Sequence, residues 1–266
     1  MFNWAYEIPN WQVGAMFSGV SVALMWAGII FIKPFFRLLF GRQADLNSVV
    51  GNTVSAFSVF YGLLIGLISV GVYQTYSNLS DNIAKEASIV AALYRDFSVY
   101  DSPAREELQD ALKTYVSTTI KVDWPAQQRG IVPPAGSSKV GTLFTKLAHY
   151  EPQRLSQQIL HAEVLREFNT FIEVRRTRLA NVTSGLPGVL WYVVLIGGAL
   201  NIVLFWMFDM RFMVHIVLGG LFAFFLGVMI FIIVALDVPF RGEVSVGADP
   251  LESVYDTLMS SEIEQK

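Results

Sequence analysis

The chain has 266 residues, of which 53% are hydrophobic and 15% charged, with a formal net charge of −3. A soluble domain carries about 25% charged residues, and a nucleic-acid binder needs a basic face, so neither class fits. The chain has no cysteine, which excludes disulfides, thiolate metal ligands and cysteine nucleophiles.

Residues 1–12 carry one charge, Glu7, and neither Lys nor Arg. A cleavable signal starts with basic residues, so the apolar stretch that follows reads as a retained span. Trp4 and Trp11 precede it and suit the headgroup level, where amphipathic rings anchor a helix. Four stretches lack Asp, Glu, Lys and Arg: Val13–Ile32, Thr53–Val72, Gly188–Phe208 and Phe212–Leu236. Each has the roughly 20 residues a helix needs to cross the ~30 Å hydrocarbon layer. Short links, Lys33–Val50 and Asp209-Met210-Arg211, predict two antiparallel hairpins.

The polar middle reads as helices. Ile83, Ala87, Val90, Tyr94 and Phe97 recur at steps of four, three, four and three, an apolar stripe on one helix face. No breaker separates this stripe from the second span, so the span is expected to run on as a rod. Asp101-Ser102-Pro103 stops it, and Leu108, Leu112, Tyr115 and Thr119 carry the next helix to Trp124-Pro125. Gln127–Ser138 holds two Gly and two Pro and reads as a loop. A short helix is predicted over Val140–Tyr150. A long one follows Glu151-Pro152, with Leu155, Ile159, Leu165, Phe168, Ile172 and Leu179 inward. It should break at Gly185-Leu186-Pro187.

The predicted fold is therefore an all-α membrane protein. It has four transmembrane helices in two hairpins, with a helical bundle inserted between helices 2 and 3. The expected divisions are 1–72 (first hairpin), 73–184 (bundle), 185–236 (second hairpin) and 237–266 (C-terminal tail). Orientation is not decided by charge. Lys33, Arg37, Arg42 and Arg211 flank one side, and Lys85, Arg175, Arg176, Arg178 and Arg241 the other.

Several motifs occur in series from about Gly51 to Pro250. They are Glu86-Ala87, Leu93-Tyr94-Arg95, Tyr115, Trp124-Pro125, Arg175-Arg176-Thr177-Arg178-Leu179, Gly185-Leu186-Pro187 with Trp191, and Asp237-Val238-Pro239-Phe240-Arg241-Gly242. In order and spacing this series resembles the bacterial bestrophin-like family of membrane proteins. That family is named for its likeness to bestrophins, which are pentameric anion channels with four spans, cytoplasmic termini and a cytoplasmic helical region between spans two and three. Phe60-Tyr61 and Tyr73-Gln74-Thr75-Tyr76-Ser77-Asn78 resemble the second bestrophin helix, which lines the pore neck. The resemblance implies neck positions Asn52, Ala56 and Phe60, of which only Phe60 keeps the expected residue type. The Ile-Pro that opens the bestrophin helix is absent. The acidic calcium-binding cluster of animal bestrophins has no clear counterpart, since Asp237, Asp249, Glu252 and Asp256 are loosely spaced.

Two readings of the second span stand side by side. Gly51, Ser55, Ser58, Gly62, Gly66 and Ser69 share one face, and small residues let helices approach closely in lipid. Alternatively that face, or its neighbour, lines a permeation path, with Asn52, Ala56, Phe57, Phe60 and Leu64 as candidates and the apolar ones able to gate by dewetting. Arg175, Arg176 and Arg178 form a basic cluster that either faces lipid headgroups or anions or is an ordinary solvated face. Asn201 should meet a neighbouring helix, because an unpartnered amide in lipid is costly. His215, one turn past Asp209-Met210-Arg211, reads as interfacial and solvated. Glu86, Arg95 and Asp96 suggest a structural ion pair.

No catalytic pattern is present. His149, His161 and His215 lack metal-ligand spacing, and no phosphate-binding or nucleophile-elbow motif occurs. No catalytic residue, metal or cofactor is expected, and the chain is not expected to be an enzyme. The expected function is a homo-oligomeric anion channel with the second span lining the pore. The alternative is a non-conducting membrane scaffold or sensor whose bundle binds a partner or lipid. Expected partners are the lipid bilayer, copies of the chain itself (a pentamer, if the resemblance carries) and inorganic anions, and no nucleic acid. The resemblance implies a multi-pass protein of the bacterial inner membrane with bundle and termini cytoplasmic.

Overall fold

A computed structural model describes residues 2–40 and 45–260. Arg42 and the Arg37 side chain, counted above among the flanking charges, lie outside the description. Among the described residues there are helices and turns and no strand. Four helices are long and apolar enough to cross a membrane: Asn10–Phe36, Asn47–Phe97, Gly188–Trp206 and Phe212–Asp237. The first begins as α1 (Asn10–Ala27) and passes through a π-helical turn (Gly28–Ile32) into α2 (Lys33–Phe40). The second lies within α3 (Leu46–Phe97), 52 residues without interruption. The missing breaker after the apolar stretch is the reason: no Gly-Pro punctuation follows Val72, and the polar residues there keep a helical stripe. After α3 come α4 (Ala104–Thr118), a π-helical turn (Thr119–Asp123), α5 (Trp124–Gln127), α6 (Ala135–Ala148) and α7 (Leu155–Asn181). The last spans are α8 (Gly188–Trp206) and α9 (Phe212–Asp237), and α10 (Asp249–Val254) follows.

The chain divides into two compact units. The first holds the chain up to Gln74, Gly185–Asp237 and Gly242–Val244. In it α1 packs along α9, a span far away in sequence. Gly219, Ala223 and Gly227 recur at steps of four on α9 and are buried. A Cβ at Gly227 would lie 2.5 Å from Ser18 Cα and 2.7 Å from Phe17 O, so backbone meets backbone there. Small residues allow this approach, and dispersion between close helices holds it where no hydrophobic drive exists. Within the protomer, small residues on α9 thus bring backbone to backbone at Gly227.

α3 meets α8 at Ser58 and Tyr61, which share with Val54, Ile65, Ile68 and Val72 a stripe that is buried or half-buried. Tyr61 Oη donates to Val194 O at 2.8 Å, and its ring fills the room left by Gly197, where a Cβ would lie 2.5 Å away. Ser58 Oγ donates to Asn201 Oδ1 at 2.8 Å, and Asn201 Nδ2 donates to Gly197 O at 2.9 Å. Asn201 therefore meets the neighbouring helix, as its cost in lipid demands. Where α8 begins, Asp237 takes the Leu186 N–H on Oδ1 and the Trp191 Nε1–H on Oδ2 at 3.2 Å.

The second unit comprises Thr75–Ser184, Val238–Arg241 and the chain from Ser245 on. The stripe Ile83, Ala87, Val90, Tyr94 and Phe97 is buried in its core. On α7 the inward face differs from the expected one. Val164, Phe168, Phe171 and Val174 are buried, whereas Leu155 and Ile159 are 73% and 67% exposed. In the first turns of α7 it is Leu160 that packs against the core, which turns Leu155 and Ile159 outward. α6 begins at Ala135, five residues before the expected start at Val140. Residues 237–266 are not a free-standing tail over their described part: Phe240, Val246, Ala248, Leu251 and Met259 are all buried in the bundle core. Trp124 stacks at a tilt on Phe240, 5.6 Å between centroids, and its Nε1 donates to Val246 O at 3.4 Å.

Candidate functional site

Two features of the molecule carry chemistry beyond packing. One is a polar seam inside the bundle. Tyr115, Thr119, Asp123 and Gln127 follow one another at four-residue steps and are at most 1% exposed. Facing them are Arg175 and Arg178, three apart on α7, and Glu86 on α3. Arg178 is fully buried and forms a fork with Glu86: Nε to Oε2 at 2.6 Å and Nη2 to Oε1 at 3.1 Å. Its Nη1 donates to Gln127 Oε1 at 2.6 Å, and Tyr115 Oη donates to Glu86 Oε1 at 2.8 Å. The guanidinium also lies over the Trp124 ring, 5.2 Å from its centroid. A planar fork suits a buried carboxylate better than an ammonium would. Burial works against the Arg178 charge, but Glu86 and Tyr115 more than restore it, and its pKa is raised. Burial, with Glu86 adding to it, pushes the Tyr115 phenol up as well.

The basic cluster read from the sequence is therefore corrected. Arg175 and Arg178 point into the bundle, 6% and 0% exposed, and only Arg176 is on the surface. One helical turn of three arginines cannot be a single lipid-facing patch when two are committed to buried partners. Arg175 Nη2 donates to Ser137 Oγ at 3.0 Å, and its guanidinium lies 5.9 Å from the Tyr115 centroid. Glu86 does form a structural ion pair inside the bundle, and its partner is Arg178.

Asp123 ends the π-helical turn. Its carboxylate approaches Gly136 so closely that a Cβ there would lie 2.1 Å from Oδ2. Asp123 Oδ1, Gln127 Nε2, Thr119 Oγ1 and Arg175 Nε are buried without protein hydrogen-bond partners. Burial raises the Asp123 pKa, against the pull of Arg178 and Arg175 and the Gly136 N–H. A carboxyl with a raised folded-state pKa favours folding most below its unfolded pKa, about 3.9. That contribution falls away as pH rises through the folded value. Asp123→Asn is therefore expected to unfold at a higher temperature than wild type at neutral pH. The difference should close near pH ~4. Thermal unfolding at the two pH values checks this.

The other feature is the second span itself. Only 6% of its most apolar stretch is buried within the protomer, against 28–39% for the other three spans. Of the pore candidates, Asn52, Ala56, Phe57 and Phe60 are exposed, Phe60 at 73%, and Leu64 is half-buried. The exposed residues Val49, Asn52, Ala56, Phe60, Leu63, Leu67 and Val70 follow one another at steps of three and four. The small-residue set does not pack as one face of the protomer. Gly51, Ser58, Gly66 and Ser69 are half-buried, Ser55 and Gly62 exposed, and a Cβ at Gly62 or Gly66 would meet nothing within 4 Å. Beside this span, Ser58, Tyr61, Gly62, Asn201, Phe222 and Phe225 border a largely apolar cavity of about 330 Å³.

His215 is also corrected. It is fully buried, with a ring nitrogen on each side engaged, rather than solvated at the interface. Its single apolar setting in the sequence gave no sign of the Lys33 that reaches it from the first span.

A family model, described as Bestrophin-like domain, matches residues 19–251. No curated protein and no solved structure matches the chain. The match spans the seam, the α8 start and all four spans but for the first residues of α1.

Proposed function

The chain belongs to the Bestrophin-like domain family, and from that premise we propose that this integral membrane protein is a homo-oligomeric anion channel with α3 lining the pore. The observation that carries the reading is the near-absence of cover on α3 within one protomer. Four spans give a single copy too little wall for a central path. Several copies around an axis, with α3 innermost, would supply it. The three-and-four spacing of exposed residues on α3 is the pattern by which like helices pack side by side. Open room at Gly62 and Gly66 would admit a neighbouring helix. Asn52, Ala56, Phe57, Phe60 and Leu64 would then lie at or beside the lumen, with the aromatic rings as an apolar neck. In this reading the spans form two hairpins with the bundle between the second and third. The protein sits in the bacterial inner membrane, bundle and termini cytoplasmic, and the family likeness favours a pentamer.

The test pairs oligomer mass in detergent with halide flux in liposomes. The expected result is a mass several times that of the 29.7 kDa chain together with flux. Phe60→Ala is expected to change that flux with little effect on the protomer, because Phe60 is 73% exposed there. A monomer without flux would leave the competing reading, a non-conducting scaffold or sensor.

A further inference from the structure

The polar seam of the bundle holds buried groups that the protein alone does not satisfy. Asp123 Oδ1, Gln127 Nε2, Thr119 Oγ1 and Arg175 Nε have no protein hydrogen-bond partner. The residues that carry them are at most 6% exposed. Each such group bears the full penalty of leaving water, and four in one seam call for a ligand.

The four belong together in space. Thr119, Asp123 and Gln127 follow at four-residue steps, and Thr119–Asp123 is a π-helical turn, a local widening that often marks a functional position. Arg175 runs along the same stretch from α7. Its guanidinium lies 5.9 Å from the Tyr115 ring centroid, one turn before Thr119. A Cβ on Gly136 would collide with Asp123 Oδ2 and lie 3.5 Å from Arg175 Nη2. The guanidinium therefore borders both Tyr115 and the Asp123 carboxylate, with Thr119 between them.

Other bonds fix the directions of these groups. Gln127 Oε1 accepts from Arg178 Nη1 at 2.6 Å, and a guanidinium only donates. The amide is therefore set one way round, with Nε2 left over. Arg175 Nη2 donates to Ser137 Oγ at 3.0 Å, and Asp123 accepts the Gly136 N–H. Asp123 and Arg175 attract one another, yet the hydrogen bonds of each go elsewhere.

Charge then selects the ligand. Glu86 and Arg178 neutralise each other in their fork, and Asp123 balances Arg175. An anion would face the Asp123 carboxylate and a cation the Arg175 guanidinium, in a setting where like charges repel strongly. A small neutral molecule that both donates and accepts meets neither objection. It can accept from Arg175 Nε and Gln127 Nε2 and donate to Asp123 Oδ1. Water does this, and an internal water makes about three such bonds to otherwise unsatisfied groups. Ser137 is exposed and bonded to Arg175, which gives water a way in from the surface.

We infer that the seam is a binding site for ordered water, which separates Asp123 from Arg175 and joins the π-helical turn and α5 to α7. The site stands on these contacts and does not depend on whether the protein conducts.

The test is pulsed hydroxyl-radical labelling of the full chain in detergent, read by mass spectrometry. The radicals form from water, so a buried ring is oxidised only where water lies near it. Tyr115 and Phe97 are both fully buried, but only Tyr115 faces Arg175. Tyr115 is expected to label several-fold faster than Phe97 once intrinsic reactivity is allowed for. Asp123→Leu removes the acceptor and fills its place, so Tyr115 labelling should fall toward that of Phe97. Asp123→Asn keeps Oδ1 and should retain the labelling. Tyr115 as inert as Phe97 in wild type would overturn the site, and that comparison decides alone if Asp123→Leu does not fold. Undiminished labelling in a folded Asp123→Leu would overturn it too. An experimental map gives a second measurement. Solvent density between Asp123 and Arg175 is expected there, and a carboxylate in direct contact with that guanidinium would refute the site. Because none of these outcomes involves ion flux, failure here is distinguishable from failure of the channel reading.

Discussion

Arg178→Met is expected to unfold the helical bundle. The guanidinium makes the fork to Glu86, the bond to Gln127 and the stack on Trp124, all in a site with no solvent access. Removing it leaves Glu86 as an uncompensated buried carboxylate, and breaking a buried pair from one side costs about 3–5 kcal/mol. That is a large fraction of the roughly 5–15 kcal/mol that holds a domain together. Thermal unfolding and protease resistance of the bundle measure it. The double variant Glu86→Leu with Arg178→Met tests the cause. If an orphaned charge is the problem, removing both charges should recover much of the loss, since a hydrophobic replacement of a buried pair is often neutral or better. A double variant no more stable than Arg178→Met would place the loss in packing against Trp124 instead. An Arg178→Met as stable as wild type would mean that the seam does not organise the bundle.

Gly227→Val is expected to separate the first and fourth spans. The added Cβ would meet Ser18 Cα at 2.5 Å and Phe17 O at 2.7 Å. Those atoms are backbone, so no rotamer change relieves the clash. Overpacking of this kind typically costs about 1–3 kcal/mol, and a helix pair held by close approach has little else to replace the lost contact. The expected readout is a lower unfolding temperature in detergent. Gly19→Ala on α1 is the control, because a Cβ there meets nothing within 4 Å, and its unfolding should match wild type. Equal stability of Gly227→Val and wild type would mean that α1 and α9 are not held at backbone contact.

The spans were legible because each reports on itself. Length, absence of charge and hydropathy are local quantities, and the hydrocarbon layer sets one length for all helices that cross it. The stripe from Ile83 to Phe97 was legible for the same reason, since steps of three and four need only the helix that carries them. Arg175, Arg176 and Arg178 were not. Side by side in sequence they make a basic cluster, but the partner that buries Arg178 lies 92 residues away on α3. The signal that could have found the pair was Glu86 itself, a carboxylate beside an otherwise apolar stripe. Likewise Tyr115, Thr119, Asp123 and Gln127 keep a four-residue spacing that marks one face, and the sequence followed it only as far as Thr119.

What the sequence determined by itself was the number of candidate spans, the helical character and, through the resemblance of its motif series, the family. The first two rest on composition and period, which no neighbour can alter. What only the tertiary structure decided was which helix touches which, and so which polar groups are buried. α1 lies on α9 because Gly227 leaves no side chain between them, and Lys33 reaches His215 across 182 positions. The described C-terminal segment completes the bundle core with a few scattered apolar residues that have no period to announce them. Pairings of this kind depend on the fit of two surfaces, and a linear pattern holds only one of the two.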